Sequence, residues 1–101
     1  MNIIQQKADA LAELCLQYGV GELYAFGSVV TEAAFTPDSD IDLAVVFDRE
    51  QLEGSFDQYM EFKAALEQLF GRPVDLVSLK QARNKIFLKE LHRTKQQVYA
   101  A

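Results

Sequence analysis

Ser39-Asp40-Ile41-Asp42-Leu43-Ala44-Val45-Val46-Phe47 is the stretch on which the fold turns. From Asp40 to Phe47 the apolar residues Ile41, Leu43, Val45 and Phe47 recur at every second position, the period of a β-strand. Ala44 and Val46 make the alternate face apolar as well, which predicts an interior strand covered on both sides. Asp40 and Asp42 break that apolar character at one end only, and two positions apart they project from the same face.

Working upstream, Thr36-Pro37-Asp38-Ser39 carries turn chemistry, because proline presets one dihedral and Asp and Ser bond nearby backbone. Ser28 is a good N-cap residue, so 28–34 reads as a brief helix. Glu22 to Phe26 reads as a short strand ending at Gly27. Residues 2–18 form a predicted helix with Ile4, Ala8, Leu11, Cys15 and Tyr18 on one face, stopped by Gly19 and Gly21. Downstream, Asp48 to Gly54 is a polar loop. Ser55-Phe56-Asp57-Gln58 has the form of a capping box, opening a helix to about Phe70 whose inner stripe includes Tyr59, Phe62, Leu66 and Leu69. Gly71-Arg72-Pro73 stops it, Val74 to Leu79 is a third strand, and 81–93 a last helix. Thr94 to Tyr99 carries no decisive pattern. The order α-β-(α)-β-α-β-α predicts an α/β (α+β) domain, a small sheet covered by helices.

The chain has 101 residues, 50% hydrophobic and 25% charged, as expected of one small domain using residues 1–101. Its net charge of −5 leaves no general basic footprint for nucleic acid. One cysteine excludes an intrachain disulfide, and Cys15 with His92 alone cannot make a zinc site. No apolar run reaches membrane-spanning length and no signal-peptide stretch opens the sequence, so a cytoplasmic location is expected.

The chemistry gathers around three carboxylates. Asp40 and Asp42 repel each other unless a cation or solvent compensates, and a hard divalent ion such as Mg²⁺ is the natural compensator. The bland alternative is that Asp40 caps the turn and Asp42 faces water. Asp75 lies within Val74-Asp75-Leu76-Val77, where an unpaired buried carboxylate would be costly. If strands 40–47 and 74–79 are neighbours, Asp75 can join the pair in an acidic cluster of the kind phosphoryl transfer uses; the bland alternative is an edge-strand residue facing solvent. Phe26-Gly27-Ser28 adds a turn where backbone can approach a phosphate closely and Ser28 can offer its hydroxyl, although a Gly-Ser pair is most often only a turn. Competing motifs fit poorly. An EF-hand would need Gly where Leu43 stands and Glu where Arg49 stands, and a serine hydrolase would need His92 as its base in the absence of Gly-x-Ser-x-Gly.

Leu23-Tyr24-Ala25-Phe26-Gly27-Ser28, followed by Ser39-Asp40-Ile41-Asp42-Leu43-Ala44-Val45, resembles the minimal nucleotidyltransferase family of the DNA polymerase beta superfamily. Val74-Asp75-Leu76-Val77 is similar to that family's third carboxylate strand, and the ending from Arg93-Thr94-Lys95 through Val98-Tyr99 to the tail of single-domain members. The resemblance implies a mixed-sheet, palm-like nucleotidyltransferase fold that binds ATP with Mg²⁺. It implies Asp40 and Asp42 as metal ligands, Asp42 bridging, Asp75 as the third ligand that activates an acceptor hydroxyl, and Gly27 and Ser28 as the grip on the β- and γ-phosphates. It also implies a HEPN-domain partner protein, with AMP transferred to it in an antitoxin role.

Two positions depart from the family pattern. Val29 and Glu32 stand where members commonly have Arg or Lys and Gly, and eleven residues rather than the usual ten separate Ser28 from Asp40. A non-catalytic nucleotide- or partner-binding module of the same fold is therefore the rival expectation. A homodimer is a further expectation, through apolar surface formed by Tyr18, Phe35 and Phe56.

Overall fold

Gly19, at φ 72°, turns the chain out of its N-terminal helical segment and into the first strand. The computed structural model describes residues 2–30, 39–48, 55–80 and 82–101, with the side chains of Asn2, Ser28, Val29, Ser55 and Phe56 outside that description. The predicted helix 2–18 is two helices, α1 (Asn2–Gln6) and α2 (Ala8–Gln17), broken at Lys7. No Gly or Pro marks this break. Ile4, Leu11 and Cys15 are buried on either side of it, whereas Ala8, expected on the same face, is exposed.

Four strands follow: β1 (Val20–Phe26), β2 (Ile41–Phe47), β3 (Val74–Ser78) and β4 (Gln96–Ala100). They form one mixed sheet in the order β3-β2-β1-β4, antiparallel between β1 and its two neighbours and parallel between β2 and β3. The stretch 40–47 is thus an interior strand, as its two apolar faces predict, with Asp40 just ahead of the ladder. β4 is the finding the pattern did not yield. It pairs with β1 and brings Val98 and Tyr99 against the core, with a register shift between Leu23 and Tyr24.

One face of the sheet carries Leu23, Ala25, Ile41, Leu43, Val45 and Leu76 into a common core with Leu11 and Cys15 of α2 and with Phe62 and Leu66 of α3 (Ser55–Phe70). Phe62 is fully buried and sits edge-on to Phe47 and tilted to Tyr18, with ring centroids 5.9 and 5.6 Å away. Burying side chains of this size stabilises by about 1.5–3 kcal/mol each. Tyr18 is therefore core-packed and not part of a free apolar surface; Phe35 and the Phe56 side chain lie outside the described residues. Gln58, the last residue of the capping-box stretch, sends its Nε2 to the Tyr18 carbonyl at 2.6 Å, tying α3 to the end of α2, while the Ser55 side chain on which that reading turns lies outside the described residues.

β3 is an edge strand, and α3 engages two of its outward polar groups. The Pro73 carbonyl points inward to the Ile41 amide, so by alternation Val74 and Leu76 turn theirs outward. Glu67 Oε2 accepts from Val74 N at 3.0 Å and the Tyr59 hydroxyl donates to the Leu76 carbonyl. These two bonds cover part of the pairing template that an open edge presents.

The last helix, α4 (Lys85–Thr94), starts later than the expected 81 because Asn84 caps it, its side chain accepting from Phe87 N at 3.0 Å. It reaches the other face of β1. Phe87 meets Phe26 edge-on at 5.9 Å, and Lys95 Nζ lies 4.3 Å above the Tyr24 ring.

Cys15 is fully buried, and desolvation pushes its thiol up to about 12. A thiol reagent at pH 8 is expected to find no reactive cysteine in the native protein and one per chain after denaturation. Stoichiometric labelling of the native protein would contradict this packing.

Candidate active site

The carboxylate face of the sheet is built by two registers. Asp42 is the cross-strand partner of Phe26 on β1 and of Asp75 on β3. Residues in register on neighbouring strands share a face, so the Asp42 and Asp75 side chains stand side by side, opposite the face packed by α2 and α3. Asp40 precedes Asp42 by one alternation. The condition set by the sequence, adjacency of the two strands, is met.

The three carboxylates differ in surroundings. Asp42 is half-buried, while Asp40 and Asp75 are exposed. The Asp42 carboxyl is pushed above its ordinary range, first by burial, then by the charge of Asp75, then by that of Asp40. Asp75 also helps burial raise the Tyr59 hydroxyl. The cost foreseen for Asp75 inside an apolar run thus does not arise at Asp75, which faces solvent from an edge strand; it falls on Asp42.

Gly27 closes the other side. Its φ of 69° is a conformation side chains rarely adopt, and a Cβ there would collide with Asp42 Oδ2 and lie 3.2 Å from Asp42 Cγ. The bare backbone at Gly27 is what lets the β1 terminus approach the Asp42 carboxylate. The expected helix 28–34 is described only as a 3-10 turn, Gly27–Val30; residues 31–34, Glu32 among them, lie outside the described residues, as do the Ser28 and Val29 side chains.

Among the described residues no three His, Cys, Asp or Glu side chains already converge as a metal cage. The donor set still fits a hard divalent ion. It is all carboxylate, its central member is disfavoured as an anion first by burial and then by the charges of Asp75 and Asp40, and Mg²⁺ characteristically takes one or two carboxylates and completes its shell with water and substrate phosphates.

Arg72 also belongs to this region, although its sequence context marks it only as part of a helix stop. Its Nη1 donates to the Ser39 carbonyl at 3.2 Å, immediately before Asp40. An arginine in a Gly-Arg-Pro turn gives no local sign of a partner 33 residues away. His92 is exposed on α4, as expected of a helix-surface residue. No described helix is long and apolar enough to cross a membrane.

Comparison with known proteins agrees with this architecture. Residues 9–101 match the family model described as polymerase beta, nucleotidyltransferase. A candidate protein adenylyltransferase of Methanocaldococcus jannaschii is 35% identical over 75 residues, covering 74% of this chain and 73% of that protein. Among solved structures, a candidate minimal nucleotidyltransferase superposes with a TM-score of 0.73 at 28% identity, over 92% of this chain and 90% of its own. A toxin–antitoxin complex with AMP-PNP gives a TM-score of 0.73 at 21% identity, covering 93% of this chain and 73% of the other. The complex of a tri-AMPylated HEPN toxin with its MNT antitoxin from Shewanella oneidensis gives 0.67 at 20%, covering 96% and 72%.

The family match over residues 9–101 makes this a nucleotidyltransferase, built on a mixed sheet with carboxylates on two adjacent strands and a glycine turn against the central one. The chain belongs to the polymerase beta nucleotidyltransferase family, within its minimal nucleotidyltransferase branch.

Proposed function

We propose that this chain transfers AMP from ATP to a hydroxyl group on a HEPN-domain partner protein in the cytoplasm, acting as an antitoxin. The observation that carries the reading is the in-register pair Asp42–Asp75 beside Gly27, whose missing side chain leaves room at the Asp42 carboxylate. The candidate adenylyltransferase among its relatives and the AMPylated toxin among its structural neighbours support AMP as the group moved and a HEPN protein as the acceptor.

In this reading Asp40, Asp42 and Asp75 hold Mg²⁺, which when bound neutralises charge on the attacking and leaving oxygens. Gly27 offers backbone and Ser28 its hydroxyl to the β- and γ-phosphates. The Asp75 carboxylate takes the proton of the acceptor hydroxyl. That oxygen bonds to the α-phosphorus while the bond to the bridging oxygen of pyrophosphate breaks, and pyrophosphate departs with the electron pair. Asp42 lies centrally between the Gly27 turn and Asp75 and so orients both ends of this displacement.

The test is transfer of label from ATP to a purified HEPN partner with Mg²⁺ or Mn²⁺. Label at the α-phosphate is expected on the partner, and label at the γ-phosphate is not. Wild-type protein that neither binds nucleotide nor transfers label with either cation defeats the proposal. Binding without transfer supports the rival, a non-catalytic module that occludes its partner, for which Val29 in place of a basic residue is the motivating feature.

A further inference from the structure

Asp40 is the one member of the carboxylate trio that lies outside the strand ladder, since β2 begins at Ile41. What holds it is the turn before β3. Arg72 Nη1 donates to the Ser39 carbonyl at 3.2 Å, and the Pro73 carbonyl accepts from Ile41 N at 3.1 Å. Consecutive residues of one turn therefore pin both neighbours of Asp40, one on each side. The turn is itself anchored, because Gly71 N donates to the Glu67 carbonyl at 2.8 Å and Glu67 Oε2 accepts from Val74 N at 3.0 Å. The Ile41–Pro73 bond is part of the sheet's own hydrogen bonding. The Arg72 bond is an addition, made by a long side chain that reaches 33 residues back in sequence.

We propose that Arg72 is a positioning residue for Asp40. By clamping the Ser39–Asp40 peptide it fixes the direction from which the Asp40 carboxylate meets the divalent cation. A side chain free to swing would have to be ordered at each binding event, and outer-shell contacts of this kind commonly govern metal affinity by tenfold or more. The guanidinium suits the task because its donors are planar and permanently charged, whereas a lysine offers a single flexible point. The role rests on the metal reading given under Proposed function.

The experiment uses Arg72→Ala and Arg72→Lys in the full chain, with Mn²⁺ alone as the probe. In ligand-free protein, amide exchange at Asp40 and Ile41 is expected to quicken by about tenfold in Arg72→Ala, while amides of β1 and α3 keep their wild-type rates. The Mn²⁺ concentration for half-saturation, followed by electron paramagnetic resonance, is expected to rise by about tenfold, and added guanidinium ion to restore part of it. ATP affinity at saturating Mn²⁺ is expected to hold. A contact that only stabilised the fold would alter exchange and leave Mn²⁺ binding unchanged.

Wild type that takes up no Mn²⁺ overturns the metal reading and this role together. Wild type that binds Mn²⁺ while Arg72→Ala binds it equally overturns the role alone. A loss of ATP affinity at saturating Mn²⁺, with Mn²⁺ binding alone intact, overturns it in favour of direct contact between Arg72 and phosphate. Should Arg72→Ala fail to fold, Arg72→Lys carries the test, with Mn²⁺ binding expected about threefold weaker than wild type; equality overturns the proposal.

Discussion

Asp42→Asn is expected to abolish nucleotidyl transfer and, in metal-free protein at neutral pH, to raise the melting temperature. The first effect follows from the place of Asp42 between the Gly27 turn and Asp75. Losing the central carboxylate of a metal-assisted displacement forfeits several kcal/mol of transition-state stabilisation, about 10³-fold or more in rate. The second follows from the same geometry read as stability. Like charges directly opposite on neighbouring strands destabilise, and because Asp75 is exposed, screening keeps the term near the low end, about 0.2–0.5 kcal/mol, or about 1–4 °C.

The sign with pH is fixed by the direction of the Asp42 shift. Its carboxyl is raised in the fold, so between the ordinary carboxylate range and the raised value the native state binds more protons than the unfolded chain. The stabilising contribution of protonated Asp42 is whole below that window and is lost as pH rises through it. The advantage of Asp42→Asn is therefore expected to appear at neutral pH and to vanish toward the acid side. Adding Mn²⁺ should stabilise the wild type and not the variant, reversing the order. Calorimetry at two pH values, with and without Mn²⁺, reads all of these. A variant less stable than wild type under metal-free neutral conditions would mean that Asp42 serves the fold, not the site.

Gly27→Ala is the second large effect, and Gly71→Ala is its internal control. Both glycines hold a positive φ, 69° and 68°, so each substitution meets the same backbone strain, about 1–2 kcal/mol. At Gly71 the added methyl would find nothing within 4 Å, whereas at Gly27 it collides with the Asp42 carboxylate. Gly71→Ala is expected to lower the melting temperature and to change transfer per folded molecule only as far as the turn carrying Arg72 shifts, far less than the change at Gly27. Gly27→Ala is expected to lower it further and to cut transfer by about 10²-fold, the scale of an ångström's misplacement of a reacting group. Equal activity in the two variants would show that the approach of Gly27 to Asp42 has no bearing on chemistry.

Much of this candidate site is legible in the chain itself. Gly27, Asp40, Asp42 and Asp75 stand out because each violates its surroundings: a glycine at the end of a strand pattern, and acids at the ends of apolar ones. Arg72 violates nothing locally. Its place beside Asp40 depends on β3 lying parallel to β2, which brings the turn before one strand against the start of the other. The burial that an apolar run suggests for Asp75 belongs instead to Asp42, because β3 is an edge strand and β2 an interior one.

Alternation and helical spacing are local properties, and the chain carries them without reference to its partners. Strands 20–26, 41–47 and 74–78, helix 55–70 and the faces of their residues are therefore visible in the one-dimensional pattern to within a few positions. A period of two assigns a residue to a face but does not say which strand will lie beside it. Strand order, the opposition of Asp42 to Asp75, and the recruitment of Gln96–Ala100 as a fourth strand against β1 are set by hydrogen bonds and packing between segments far apart in sequence. The three carboxylates are written in the chain; the pairing of Asp42 with Asp75 is a property of the sheet.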